Sequence, residues 1–401
     1  MTRAAERGGR AGAAVALAAR MGRLESEGAF DVLVKAQALE AAGRDVIHLE
    51  IGEPDFPTPA FIREAATRAL EEGYTRYGPP AGLPELREAI AATVAARCGV
   101  PVHPEEVVVT PGAKPIMFFA ALALVEPGRE VVYPDPGFPI YRSVAAFAGG
   151  RPVPVPLREA QGFAFDLEAL DAAVNARTAL LILNSPQNPT GGVLGGEELE
   201  AIAAITGRYG IPVLADEIYH RFLYEGEHRS ILSLPGLKER VILLDGFSKS
   251  YAMTGWRLGY GVMPRPWAEA MARLMVNSNS CTASFTQRAG CAALTGDQAP
   301  VKAMVAAFRR RRDLVVAGLN AVPGVRCLPP RGAFYAFPNV SALGRPAQAL
   351  ADFLLNEAGV ALLPGTAFGE NGEGYLRLSY AAGEDRLREA LHRMRDALAA
   401  L

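Results

Sequence analysis

Lys249 is one of only five lysines in a chain of 401 residues, the others being Lys35, Lys114, Lys238 and Lys302. It closes the run Val241-Ile-Leu-Leu-Asp-Gly-Phe-Ser-Lys249, so an apolar strand would deliver Ser248 and Lys249 to its carboxyl end. An ammonium beside a buried strand end is costly unless it is paired or chemically committed. A lysine that snorkels its head to the surface is the plainer reading of this segment alone. Arg257 follows eight residues later, beside Gly255. A second apolar run, Ile211-Pro-Val-Leu-Ala-Asp216, ends in a carboxylate and is followed by Tyr219; Asp216 alone would also serve as a helix N-cap. A third, Leu180-Leu-Ile-Leu-Asn184, runs into Ser-Pro-Gln-Asn188-Pro-Thr-Gly191, which turn chemistry alone could explain. A fourth, Val107-Val-Val-Thr110, leads through Gly112 and Ala113 into a helix at Lys114, whose free backbone N–H groups would suit a phosphate.

Elements must bring these residues together. Glu105–Thr110, Glu130–Tyr133, Leu180–Asn184, Pro212–Asp216 and Val241–Asp245 read as buried strands, with helices such as Ile116–Leu124 and Gly196–Tyr209 between them. Strand and helix in alternation predict an α/β fold, a mostly parallel sheet covered by helices on both faces. In such a sheet the ligand crevice lies beyond the carboxyl ends of the strands, where all four segments end. After Gly296 the texture changes. An Arg-rich helix over Val301–Leu319, a helix near Ala347–Ala358, strands at Ala358–Leu363 and Tyr375–Tyr380, and a last helix from Glu384 predict a smaller α+β domain. The expected division is an N-terminal arm at 1–27, a small domain from 28–56 and 296–401, and a large domain at 57–295.

The ordered set Asn188-Pro-Thr-Gly191, Asp216-Glu-Ile-Tyr219 and Ser248-Lys249 with Arg257 resembles the class I/II aminotransferases of the fold-type I pyridoxal-phosphate-dependent family. The likeness runs from about Gly28 to the C-terminus. It implies pyridoxal 5'-phosphate as cofactor, Lys249 as the Schiff-base lysine and proton shuttle, and Asp216 as partner of the pyridine nitrogen. It implies that Asn188 and Tyr219 bind the phenolic oxygen and that Phe138 stacks on the ring. Ser248, Arg257 and the backbone around Gly112, Ala113 and Lys114 would hold the phosphate. Tyr77 resembles the tyrosine lent to a neighbouring subunit's phosphate, which implies a homodimer with shared sites. Arg377, in Gly374-Tyr-Leu-Arg-Leu-Ser379, resembles the arginine that grips the substrate α-carboxylate, with Asn188 and Gly52 beside it; a planar fork suits that task.

The implied reaction moves the amino group of an L-amino acid to a 2-oxo acid in two half-reactions, with ping-pong kinetics. Lys114 is a candidate partner for a distal substrate carboxylate, or a solvated lysine near a helix start. Scaffold and cofactor do not fix the outcome. A C–S lyase acting on a cysteine conjugate, or a decarboxylating enzyme, is the enzymatic alternative, and a non-catalytic regulatory module the remote one.

Composition narrows the classes further. A net charge of −2 and a pI near 6.3 advertise neither nucleic acid nor an anionic membrane. Cys98, Cys281, Cys291 and Cys327 are widely spaced, so neither a disulfide framework nor a zinc site follows, and a cytoplasmic setting is compatible. The five histidines have no metal-ligand spacing, and His220, beside a strand end, reads as packed or solvated rather than ligating. Arg3, Arg7 and Arg10 before Ala11–Ala19 superficially copy an export signal. That run is mostly Ala and Gly, with Val15 and Leu17 its only strong hydrophobes, and reads as an arm or short helix. No segment approaches the roughly 18 apolar residues of a spanning helix.

Overall fold

Runs with an apolar residue at every position cannot leave either face in water, and here they form the middle of an eight-stranded sheet. The computed structural model describes residues 16–401. Thirteen strands among those residues are, in chain order, β1 (Ile47–His48), β2 (Val107–Thr110), β3 (Glu130–Asp135), β4 (Arg151–Arg158), β5 (Ala164–Phe165), β6 (Thr178–Asn184), β7 (Val213–Asp216), β8 (Val241–Gly246), β9 (Gly259–Val262), β10 (Tyr335–Ala336), β11 (Val360–Ala361), β12 (Leu363–Pro364) and β13 (Leu376–Ser379). The large sheet runs β2-β9-β8-β7-β6-β3-β4-β5. Its pairings from β8 through β4 are parallel, while β9 lies antiparallel between β2 and β8. The fold is the expected α/β architecture.

Alternation along the strands sorts side chains between two cores. Leu181, Leu183, Val213, Ala215, Val241 and Leu243 face one core, which takes in Leu86, Ile90 and Val94 of the helix Pro84–Cys98. Leu180, Ile182, Leu214, Ile242 and Leu244 face the other, with Ile116 and Met117 of the helix Lys114–Leu124 and Met271 and Met275 of Arg265–Ser278. The period of two therefore explains a sheet that is apolar on both sides.

A third core joins Ile47 and Leu49 to Phe308, Val315, Phe334, Leu376, Leu387 and Met394, and also takes Tyr219, Phe222 and Tyr224 from the central region. This grouping supports, as a proposal, the division into a small domain of 28–56 and 296–401 and a large one of 57–295. The two small sheets are β1-β11 and β10-β13-β12. The helix Ala299–Asn320 buries two of its arginines; Arg311 grips Asp55 bidentately at 2.6 and 2.9 Å and lies over the rings of Phe56 and Phe308.

Five strands, β1, β4, β5, β9 and β10, escaped the sequence reading, and two of them show why. β4 carries Pro152, Pro154 and Pro156, all of one parity, so their missing N–H groups fall on the side of the strand that only β5 covers, at Leu157 and Arg158. β9 is Gly-Tyr-Gly-Val, too short and glycine-rich to stand out. Some boundaries moved as well. Pro104–Glu106 is a 3-10 turn, with the Glu106 carboxylate accepting from the His103 N–H at 2.8 Å, so β2 starts two residues after the expected Glu105. The helix near Ala347–Ala358 is α-helical to Phe353 and then a π turn ending at Gly359, whose φ of 63° suits glycine. The strand expected at Ala358–Leu363 is divided into β11 and β12. Ala19–Arg23 forms a 3-10 turn; Arg3, Arg7, Arg10 and most of the alanine-rich run lie outside the described residues. Among the described residues no helix is long and apolar enough to cross a membrane, no group of His, Cys, Asp or Glu could hold a metal, and the four cysteines are free.

Candidate active site

Parallel register sets Asn184 beside Asp216 and Asp216 beside Leu244, at the carboxyl ends of β6, β7 and β8. A cavity of about 490 Å³ opens there. Gly52, Ala113, Lys114, Phe138, Asn188, Asp216, Tyr219, Ser248, Lys249, Arg257 and Arg377 all line it. Gly112 stands just behind this wall. Its φ is 88°, and a side chain there would strike the Arg257 guanidinium, so glycine is required twice over. Tyr77 lies apart from the cavity and is 90% exposed.

Lys249 donates from Nζ to the Gly52 carbonyl at 2.5 Å. Burial pushes its pKa down to about 8; Glu53 opposes that shift, while Lys114 and Arg257 add to it. About a tenth of the amine is thus neutral at pH 7, far more than for an ordinary lysine, as a nucleophile or base requires. A side chain at Gly52 would collide with the Tyr335 hydroxyl. Burial pushes Asp216 up to about 6, against the pull of its two donors, the Tyr141 hydroxyl at 2.8 Å and the Ile218 N–H at 3.3 Å. Neighbouring Asp245 and Glu217 add to the rise. Such a carboxyl is poised for a cation that would restore its charge.

Asn184 ties the strand ends together: its amide donates to the Asp216 carbonyl at 3.0 Å, and its Oδ1 accepts from the Asn188 N–H at 2.9 Å. Asn188 Oδ1 is itself buried without a partner. The Tyr219 and Tyr335 hydroxyls lie 2.7 Å apart, and burial raises the Tyr219 pKa well above its ordinary value. Arg377 is buried, with its guanidinium over the rings of Tyr335 (4.7 Å) and Phe368 (5.2 Å). It donates from Nη2 to the Glu50 carbonyl, while Nε has no partner. Burial lowers its pKa, and Tyr335, Tyr219 and Glu50 oppose that. Buried polar groups are rarely left unpaired, so Asn188 Oδ1 and Arg377 Nε mark where a polar ligand would bind.

An anion fits at the other end of the cavity. The helix Lys114–Leu124 begins there with no acid in its first turn. Ser248 and Arg257 face the same space, and Arg257 is steadied by a 2.8 Å bond from Nη1 to the Thr254 carbonyl. Its φ of 53° is uncommon for a residue with a side chain. Lys114 is engaged elsewhere. Its ammonium is paired with the Glu27 carboxylate and lies 5.3 Å above the Phe138 ring.

Tyr141, Tyr335 and Glu27 were not singled out in the sequence. Tyr141 lies three residues after Phe138, at the start of a helix, and that spacing was the available signal. Nothing local marks Tyr335 or Glu27, whose partners are 116 and 87 positions away. His220 is packed, as expected, with Nδ1 3.2 Å from Asp245 Oδ2.

A family model described as aminotransferase class I and II matches residues 44–394. A probable aspartate/prephenate aminotransferase of Aquifex aeolicus is 43% identical over 390 residues, covering 95% of this chain and 98% of the relative. Aromatic-amino-acid aminotransferase 2 of Thermococcus litoralis is 39% identical, covering 90% and 93%. The solved structure of an aspartate aminotransferase from Thermus thermophilus with maleate superposes with a TM-score of 0.92 at 40% identity, covering 96% of this chain and all of that one.

Proposed function

The chain belongs to the class I and II aminotransferase family, and we propose that its cavity holds pyridoxal 5'-phosphate attached at Lys249. The activity is amino-group transfer. One observation carries the cofactor reading: the Lys249 amine and the Asp216 carboxyl, both withdrawn from water and both shifted toward neutrality, face the same cavity. The residues fit the group. Asp216 would meet the ring nitrogen, Asn188 and Tyr219 the phenolic oxygen, and Phe138 a ring face. Ser248, Arg257 and the backbone at Gly112, Ala113 and Lys114 would meet the phosphate.

When bound, the cofactor supplies a carbonyl that retains the amino group and a cationic ring that withdraws electrons from the substrate α-carbon. The protein supplies position and proton transfer. Arg377 holds the α-carboxylate through its planar fork, beside Asn188 and Gly52, and so presents the α-hydrogen. Once free of the cofactor, Lys249 Nζ would take that proton and later return it, a task its lowered pKa suits. Asp216 keeps a proton on the ring nitrogen, and Tyr141 and Asn184 fix the carboxylate and its strand. A 2-oxo acid leaves before the acceptor oxo acid enters the same site, so ping-pong kinetics follow. The exposure of Tyr77 supports a homodimer in which it reaches the partner's phosphate. A cytoplasmic setting accords with the free thiols.

Purified holoenzyme, incubated with a panel of amino acids and a 2-oxo acid acceptor, should yield one new oxo acid per amino acid consumed. Borohydride reduction should label the peptide containing Lys249. Pyruvate and ammonia from a cysteine conjugate without an acceptor would instead establish elimination, and an unlabelled Lys249 peptide would remove the proposed attachment.

A further inference from the structure

On the reading that this cavity accepts amino acids, we infer that Glu27 is a specificity-determining residue that turns the site away from acidic side chains and toward uncharged ones. Four cations line the cavity among the described residues: Lys114, Lys249, Arg257 and Arg377. Three have proposed duties, at the cofactor carbonyl, the phosphate and the α-carboxylate. Lys114 alone is left to receive a distal substrate carboxylate, and Glu27 already occupies it.

The acid is built into the wall. Glu27 is the residue before the helix Gly28–Ala41, whose first turn contributes Gly28, Ala29 and Phe30 to the same cavity. The strand of chain leading to it is tied down two residues earlier, where the Glu25 N–H donates to Ser143 Oγ at 3.0 Å and its carboxylate meets Arg142 at 3.4 Å. The Glu27 side chain is only 18% exposed, against 48% for Lys114. It makes no capping bond to its own helix, so the ion pair is its one strong engagement there. Glu27 lines the same cavity as Lys249, Tyr335 and Arg377, and its negative charge reaches all three.

An aspartate or glutamate side chain would bring a second carboxylate to an ammonium that already has one. Either the two acids share Lys114, or Glu27 is displaced and left half-buried without its partner; like-charge juxtaposition and lost pairing both disfavour the complex. An uncharged side chain would leave the pair intact, and Phe30, Met117 and Leu363 supply apolar lining in the same cavity. Selectivity of this kind works by a repulsive element set against the unwanted ligand.

The test compares kcat/KM for aspartate, glutamate, leucine and phenylalanine, with one acceptor, in the wild-type holoenzyme and in Glu27→Gln, Glu27→Ser and Glu27→Asp. The wild type should favour phenylalanine or leucine. Glu27→Gln and Glu27→Ser should raise the aspartate-to-phenylalanine ratio at least about tenfold, a modest share of what like-charge contact can cost. Glu27→Asp should hold the ratio near the wild-type value, and adding Lys114→Ala to Glu27→Gln should remove the gain. A wild type that prefers aspartate, or a ratio that Gln and Ser leave unchanged, overturns the inference while leaving amino transfer intact. No turnover of any donor would instead strike at the cofactor and site assignment on which it rests.

Discussion

Asp216 and Glu217 are consecutive carboxylates, yet the pleat sends them to opposite faces of the sheet and into opposite kinds of environment. Behind the sheet Glu217 and Asp245 enclose Arg97, at 3.1 and 3.5 Å, as ion pairs without aligned N–H bonds. The Ser230 hydroxyl donates to Glu217 at 2.5 Å, the Tyr260 hydroxyl donates to Asp245 at 2.9 Å, and His220 stands 3.2 Å from Asp245. Burial alone would raise Asp245; His220 and Arg97 outweigh it and hold the carboxyl at about 2. Burial likewise opposes the charge on Arg97, and Glu217 and Asp245 reverse that. In front of the sheet nothing of the kind happens. Asp216 rises to about 6 and Lys249 falls to about 8, because the opposing influences within the chain, Glu53 and Glu27 at Lys249 and two hydrogen-bond donors at Asp216, fall short of offsetting their burial. Charges matched within the fold hold it together, whereas charges left wanting are arranged for something that arrives later.

The contrast can be broken by experiment. Lys249→Ala carries the largest expected effect: kcat/KM should fall by about 10⁴ or more, since general acid–base assistance alone is typically worth about 10²–10⁴. Its melting temperature should hold or rise, because a desolvated amine has been removed. A Lys249→Ala protein that unfolds as readily as the next variant would erase the distinction between the two faces. Arg97→Met should cost about 3–5 kcal/mol in denaturant unfolding, since Glu217 and Asp245 are left buried without their cation. Stability within 1 kcal/mol of wild type would show the rear cluster to be dispensable.

Smallest is the pH effect. The folded-state pKa of Asp216 lies above the ordinary carboxyl value, so the cofactor-free protein has this contribution in full below about pH 4 and loses it as pH rises through 6. A shift of that size corresponds to roughly 2–3 kcal/mol. Asp216→Asn should flatten this part of the unfolding profile. A wild-type curve that instead gains stability between pH 4 and 6 by the same Asn-sensitive amount would place Asp216 with the rear cluster.

What the sequence disclosed follows from the same division. Lys249, Asp216 and Asn188 were legible because each ends or follows a strongly apolar strand, and a strand's carboxyl end is where a parallel sheet keeps its ligands. Tyr335 and Glu27 were not, since their roles come from contacts across more than 80 positions that no local pattern encodes. Lys114 shows the limit from the other side. Its place at the helix start was readable, but the acid that occupies it comes from a segment that sequence reasoning treated as an arm. Arg97, in the last turn of an ordinary helix, gave no sign of being a largely buried cation. β4 hid behind its prolines, which the sheet tolerates only because they turn their missing donors to its thinly covered side.

The side-by-side placement of Asp216 and Glu217 also governs how this chain can change over time. Inserting or deleting one residue within Val213–Asp216 would exchange the outlooks of two acids, stranding one among aliphatic side chains and thrusting the other toward the ligand. Length variation is therefore barred from that strand more strictly than substitution is. Drift in residue count belongs to stretches such as Tyr224–Arg229, where no such parity has to be kept.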